Sequence, residues 1–234
     1  MQISNEAVIY IMFQRTSYSR LTNSFIYRVF NKIFPFSFYN NLVKYEANTN
    51  PSRIKALYEN DMRREYLSIV KYLPKSCSTI LDIGCGLAGI DIFFHRHYQD
   101  KSPVFYLLDK TYTEGNVYYG FKSKGAFYNS LKMAQTMLIN NGLSFKNIHT
   151  LEANKNNDIN IDCKIDLVIS LISWGFHYPV DIYLDRVYNL LNNSGLIILD
   201  TRKKTNGIET LKKKFKKVFI IMEKEKYQRV LAIK

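Results

Sequence analysis

The feature that most constrains this chain is a nine-residue run, Leu81-Asp82-Ile83-Gly84-Cys85-Gly86-Leu87-Ala88-Gly89. A short apolar stretch, Thr79 to Ile83, leads into it, and a helical pattern from Ala88 to Tyr98 leads out. The three glycines therefore sit where a strand turns into a helix. Glycine allows the backbone to turn sharply there and to approach a ligand, while the helix N-terminus presents unpaired N–H groups. Twenty positions beyond Gly89, Asp109 closes a second apolar strand, Val104 to Leu108. A carboxylate at that place can accept hydrogen bonds from ribose hydroxyls, so the unit expects a nucleotide-like ligand.

The rest of the chain is patterned around this unit. A helical stretch from Lys55 to Tyr72 ends before Pro74, and another from Ala126 to Ile139 stops at Asn140-Asn141-Gly142. Asn147 to Leu151 and Ile165 to Ser170 read as the third and fourth strands. A helix from Asp181 to Leu191 ends in Asn192-Asn193-Ser194-Gly195, and Leu196 to Asp200 is the fifth strand. After a helix from Glu209 to Lys216 come Val218 to Met222 and Arg229 to Ile233, too close together for a parallel crossover. The pattern predicts an α/β fold: a doubly wound, seven-stranded, mostly parallel sheet with a C-terminal antiparallel hairpin strand and helices on both faces. We divide the chain into a helical N-terminal extension, 1–50, and a ligand-binding domain, 51–234. In the extension, Leu21, Phe25, Ile26, Val29, Phe30, Ile33 and Phe34 recur at helical spacing opposite a basic face. That helix either packs on the domain as a lid or lies on a membrane surface.

Composition bounds the function. The chain has 234 residues, 47% of them hydrophobic, which suits one globular domain. No run reaches the roughly 20 apolar residues of a membrane span. Val8 to Phe13 is too short for a leader and lacks the basic flank, so a cytoplasmic protein is expected. Three scattered cysteines and four histidines fit neither a disulfide framework nor a metal site, and no structural metal is expected. The net charge of +13 is concentrated after Thr201, where twelve Lys and Arg face three acids. That excess suits an anionic partner such as RNA, a phosphorylated metabolite or an acidic membrane. It equally suits a solvated helix, because Lys212-Lys213-Lys214 and Lys216-Lys217 wrap around the helix.

Leu81 to Gly86 resembles the first motif of the class I S-adenosylmethionine-dependent methyltransferases, and the resemblance runs from Thr79 to the terminal hairpin. Asp82 favours that cofactor over NAD, since a carboxylate repels a pyrophosphate but attracts a sulfonium and an ammonium. The resemblance implies that Asp82, Gly84 and Gly86 line the methionine end, with Cys85, Gly89 and Ser170 completing the cofactor contacts. It further implies Asp109 on the ribose, Lys110 beside the adenine and Asn154 on the adenine amine. The segment after the fourth strand, Ser170 to Pro179, faces the transferred methyl group. There His177 is the candidate general base, and Ser173, Trp174 and Tyr178 are candidate acceptor contacts. Tyr112, Tyr118 and Tyr119, in an insertion from Thr111 to Lys124, either stack on an acceptor or pack on the N-terminal helices. No Asn/Asp-Pro-Pro-Tyr/Phe run follows the fourth strand, and Lys203 and Glu223 leave the ribose 2'-O tetrad incomplete. The expectation is methyl transfer to a hydroxyl or amine of a small-molecule or sugar-like acceptor. The alternatives are an RNA methyltransferase, or a non-catalytic cofactor-binding partner or membrane-associated module.

Overall fold

The computed structural model describes residues 1–22, 37–112 and 129–234. Most of the amphipathic stretch from Leu21 to Phe34 lies outside these residues, as do Tyr118, Tyr119 and the first residues of the 126–139 helix. Among the described residues the strands are β1 (Thr79–Ile83), β2 (Val104–Asp109), β3 (Ile148–Glu152), β4 (Ile165–Ser170), β5 (Leu191–Arg202), β6 (Lys217–Glu223) and β7 (Tyr227–Ile233). They form one sheet in the order β3-β2-β1-β4-β5-β7-β6. The pairs up to β4–β5 are parallel, whereas β7 runs antiparallel to both β5 and β6. The expected sheet, with its reversed strand near the C-terminus, is thus present.

The helices are α1 (Asn5–Gln14), α2 (Ser37–Thr49), α3 (Pro51–Ile69), α4 (Gly89–His97), α5 (Leu131–Asn140), α6 (Asp181–Leu190) and α7 (Gly207–Lys214). They bury two apolar layers. On one side Ile11, Ile54, Ile69, Phe94 and Leu138, from α1, α3, α4 and α5, pack on Ile80 and Phe105. On the other, Val187 of α6 and Leu211 of α7 pack on Leu81, Val168 and Ile197. Strands covered on both faces read as near-continuous apolar runs, the form that β1 and β4 take apart from Asp82 and Asp166. No helix of the described residues is long and apolar enough to cross a membrane.

Two elements differ from expectation. Val8 to Phe13, considered above only as a possible leader, belongs to α1, in which Ala7, Val8, Ile11 and Met12 are all 0% exposed. The Ser4 hydroxyl caps this helix by accepting the Ala7 N–H at 3.1 Å. Asn192 to Gly195, expected as a helix stop, lies instead inside β5, which starts at Leu191 directly after α6. A register shift against β4 accommodates the extra residues, with Leu191 opposite Ile165 and Leu196 opposite Leu167. Gly195 fits because a Cβ there would press on the Ile165 carbonyl.

Candidate active site

The carboxyl ends of β1, β2, β4 and β5 converge at one edge of the sheet. The turn after β1 carries Gly84 and Gly86 at φ +78° and +54°, in the left-handed region that favours glycine. Space requires them too: a Cβ on Gly84 would overlap the Ser173 side chain, and one on Gly86 would press on the Gln14 amide. Ala88, at φ 56°, holds the same backbone region despite its side chain. Gly89 has a different purpose, because a Cβ there would meet the Tyr58 hydroxyl and Met62 of α3. Its role in this structure is to seat α4 against α3.

Asp109 ends β2 beside this turn. One carboxyl oxygen accepts the Gly86 N–H at 2.7 Å and the other accepts the Lys110 N–H at 2.7 Å. Burial pushes its pKa up to about 6, and those two amide donors hold it below what burial alone would impose. Asp82, 4% exposed, lies against Asp91 of α4, which is 0% exposed. The two carboxyls lie within hydrogen-bonding reach, and burial followed by mutual repulsion raises the Asp82 pKa well above the usual range. Cys85 is buried, and burial with three nearby carboxylates raises its thiol pKa strongly, so it is a neutral packing group without nucleophilic character.

The adenine-side candidates are arranged less simply. Lys110 is exposed next to Asp109. The Asn154 side chain turns onto its own loop, where its oxygen accepts the N–H groups of Asn156 at 3.0 Å and Asp158 at 3.2 Å. That Asx-type turn commits its oxygen to its own loop. Ser170 is fully buried, and its hydroxyl donates to the Ile83 carbonyl at 2.7 Å and accepts the Trp174 N–H at 2.9 Å. It therefore ties the end of β4 to the end of β1 beneath the turn.

The segment after Ser170 is folded tightly on itself. The Ser173 carbonyl accepts the His177 N–H at 2.7 Å, and Ile172 and Gly175 take φ 59° and 88°. Trp174 is 0% exposed, its indole N–H donates to the Val180 carbonyl at 2.8 Å, and its ring meets Tyr183 edge-on. The structure therefore gives Trp174 to the core beneath this segment and does not bring it to the acceptor side. Of the other residues in this segment, Ser173 lies against Gly84, and His177 and Tyr178 are exposed. Crowding by the segment, then the Arg202 guanidinium, lowers the His177 pKa, so a neutral imidazole is the dominant form at neutral pH. Phe176 separates the two groups, with Arg202 4.7 Å above its ring and Tyr227 edge-on to it.

Several residues here had escaped sequence reasoning. Gln14, the last residue of α1, reaches the Gly86 turn and donates to the Asn129 side chain at 3.1 Å. Its partner Asn129 was also missed; it pairs its backbone through two 3.0 Å bonds with Tyr112, one of the insertion tyrosines named above. Tyr58 and Asp91 complete the buried wall behind the turn. Lys203 and Glu223 do meet, 3.9 Å apart at the ends of β5 and β6, but Ser170 stands where the tetrad would need an aspartate. Among the described residues no cluster of His, Cys, Asp and Glu is arranged to hold a metal.

No protein-family model matches the sequence, and no curated protein matches it. Solved structures do. A candidate O-methyltransferase of Nostoc punctiforme superposes with a TM-score of 0.55 at 12% identity, covering 78% of this chain and 58% of its own. A ribosomal protein L11 methylase of Lactobacillus delbrueckii is 20% identical over 72% of this chain and 74% of its own, with a TM-score of 0.47. A T. thermophilus 16S rRNA methyltransferase in complex with AdoMet and guanosine matches at 13% identity and TM-score 0.46. This chain spans only 37% of that protein's length. The likeness to the Nostoc structure, taken with the reversed β7, shows the fold: a Rossmann-like α/β sheet that ends in an antiparallel hairpin.

Proposed function

We propose that this protein is an S-adenosylmethionine-dependent methyltransferase acting on a hydroxyl or amine of a small-molecule or sugar-like acceptor. One observation carries the reading: the left-handed Gly84–Gly86 turn and Asp109 meet at the carboxyl edge of a sheet whose β7 is reversed. An NAD-binding sheet of order 3-2-1-4-5-6 has no such strand. The residues fit the cofactor, which when bound supplies an electrophilic methyl group on a sulfonium. The left-handed Gly84–Gly86 turn would receive the methionine end between Ser173 and Gln14, and the Asp82 carboxyl beneath it would balance the ammonium. Asp109, held by the Gly86 N–H, offers its remaining lone pairs to the ribose hydroxyls.

Ser173 and Tyr178 position the acceptor, and a neutral His177 takes the proton from its hydroxyl. Much of the rate comes from alignment, because the sulfonium is already a strong electrophile. Titration calorimetry with S-adenosylmethionine tests the cofactor half. Wild type should bind, and Asp109→Ala should bind at least about tenfold more weakly through the lost ribose contacts. No binding at millimolar cofactor overturns the reading. His177→Asn should leave cofactor affinity within about twofold while reducing turnover about 100-fold or more. An unchanged rate would leave positioning alone as the catalytic device.

A second reading, RNA as acceptor, is favoured by one surface. Lys212, Lys213, Lys216 and Lys217 are exposed beside Phe219 and Ile220, which are 50% and 49% exposed on the edge strand β6. A mobility shift of RNA that weakens steeply with salt would support it, since phosphate contacts release counterions.

A further inference from the structure

Asp91 has no place in the cofactor contacts described so far, yet it is the most anomalous side chain beside them. It is the third residue of α4 and 0% exposed, and neither of its carboxyl oxygens has a hydrogen-bond partner among the polar groups that normally satisfy a buried acid. A bare carboxylate in that position would be costly. The carboxyl of another acid, Asp82, lies against it, and apart from that contact only the Asp91 backbone N–H favours its charged form. We propose that Asp91 is a positioning residue of the cofactor site, sharing a single proton with Asp82 and releasing it when a cationic group binds at Asp82. The proposal rests on the cofactor reading above and adds to it a residue and a proton.

Charge balance sets the protonation of this pair. Two carboxyls in contact and out of water cannot both be ionised, whereas one proton between them satisfies an oxygen of each. The surroundings offer no other relief. Asp109 at the end of β2 adds a third negative charge, and the Cys85 thiol of the turn and the Tyr58 hydroxyl of α3 are both held neutral by burial. Arg15, at the end of α1, bears on Tyr58, but among the described residues no cation bears on either carboxyl. The pair is thus short of a positive charge, which the shared proton supplies in the free protein and an ammonium bound at Asp82 would supply in its place. The Asp91 pKa, pushed up to about 7 chiefly by burial, puts the exchange near neutrality. Binding then releases a proton, so affinity rises with pH by up to about tenfold per unit below pH 7 and levels off above it.

Asp91→Asn separates the pair chemically. The amide donates permanently to Asp82, which stays ionised, and no proton is left to release. Calorimetry with S-adenosylhomocysteine at pH 6.5, in two buffers of different ionisation enthalpy, counts the protons. Wild type should release roughly half a proton to one proton more than Asp91→Asn, with a correspondingly steeper pH profile of affinity. Equal proton counts and equal profiles in the two proteins overturn the proposal. Failure of wild type to bind at any pH overturns the cofactor reading instead. Should the variant not fold, carboxyl-carbon NMR of wild type labelled at aspartate reads the same proton directly. It must be present on the pair in the free protein near pH 6.5 and absent once S-adenosylhomocysteine is bound. A proton retained in the complex, or missing from the free protein, overturns the proposal.

Discussion

Gly84 is the residue at which backbone and site are least separable. It needs a left-handed φ of +78°, and the space a Cβ would take belongs to Ser173. Gly84→Ala should therefore cost stability, on the order of 1–3 kcal/mol, and push Ser173 out of line with the turn. Thermal unfolding reads the first effect and titration with S-adenosylmethionine the second. A variant with unchanged melting and affinity would show that the turn tolerates a side chain there. Gly89 belongs to the same motif, but what it makes room for is a tyrosine hydroxyl on α3. A glycine pattern therefore does not tell which of its members approach a ligand and which let helices pack. Asp91 was equally opaque, since an acid in the first turn of a helix ordinarily reads as a solvated partner of the helix dipole. Trp174 beside a ligand edge suggested stacking, whereas its indole N–H had a carbonyl to satisfy in the core.

Among the elements, β1 and β4 were readable to the residue because strands buried on both faces appear as mainly apolar runs between polar turns, each here carrying one aspartate. α1 was missed for the opposite reason. Five of its ten residues are buried, among them the consecutive Met12 and Phe13, so no polar face marks it as a helix. Its position gives it a role that an appended helix would lack. Ile11 and Met12 anchor it in the core next to α3, and Gln14 at its end lies over Gly86. Met12→Ala should destabilise the protein by about 2–5 kcal/mol, as for other large-to-small changes in a closed core, measured by denaturant unfolding. A cost under about 0.5 kcal/mol would mean that α1 is only loosely docked. The β5 start was misplaced because Asn-Asn-Ser-Gly is ordinary loop composition. Nothing local reveals that Leu191 pairs with β4 before those residues pass.

For the molecule as a whole, one buried ion cluster joins the helical layer to the sheet. Arg229 of β7 is 0% exposed and grips Asp200 of β5 at 2.7 and 2.9 Å, while Glu65 and Ser68 of α3 reach it at 2.7 and 2.6 Å. Arg229→Met leaves Asp200 buried without a counter-charge and should cost about 3–5 kcal/mol. The double variant Arg229→Met, Asp200→Leu should recover part of that loss in the same unfolding experiment. No recovery would mean that the cluster's worth lies outside the pair. A second whole-molecule effect concerns pH. Burial raises Asp91 to about 7 and Asp109 to about 6, so the folded chain keeps protons that the unfolded chain releases near pH 4. Stability from these groups is greatest at low pH and declines as pH rises from about 4 to about 7. Asp91→Asn removes its share, so its advantage over wild type in apoprotein stability should grow across that window to on the order of 1–3 kcal/mol. A gap that does not change with pH would contradict the assigned protonation.

The reversed strand has a consequence for synthesis. β7 lies between β5 and β6 in the sheet but follows both in the chain. Chain growth on the ribosome is slow, about 5–20 residues per second, so β5 and β6 emerge before the strand that joins them exists. Until β7 threads between them, β5 presents one open edge and β6 has no partner at all, including its exposed Phe219 and Ile220. Arg229 lies on β7 itself, so the ion cluster clamping α3 to the sheet forms only after α3, β5 and β6 have been made. A nascent chain released before Tyr227 would carry the whole cofactor turn and still lack the strand that closes the fold.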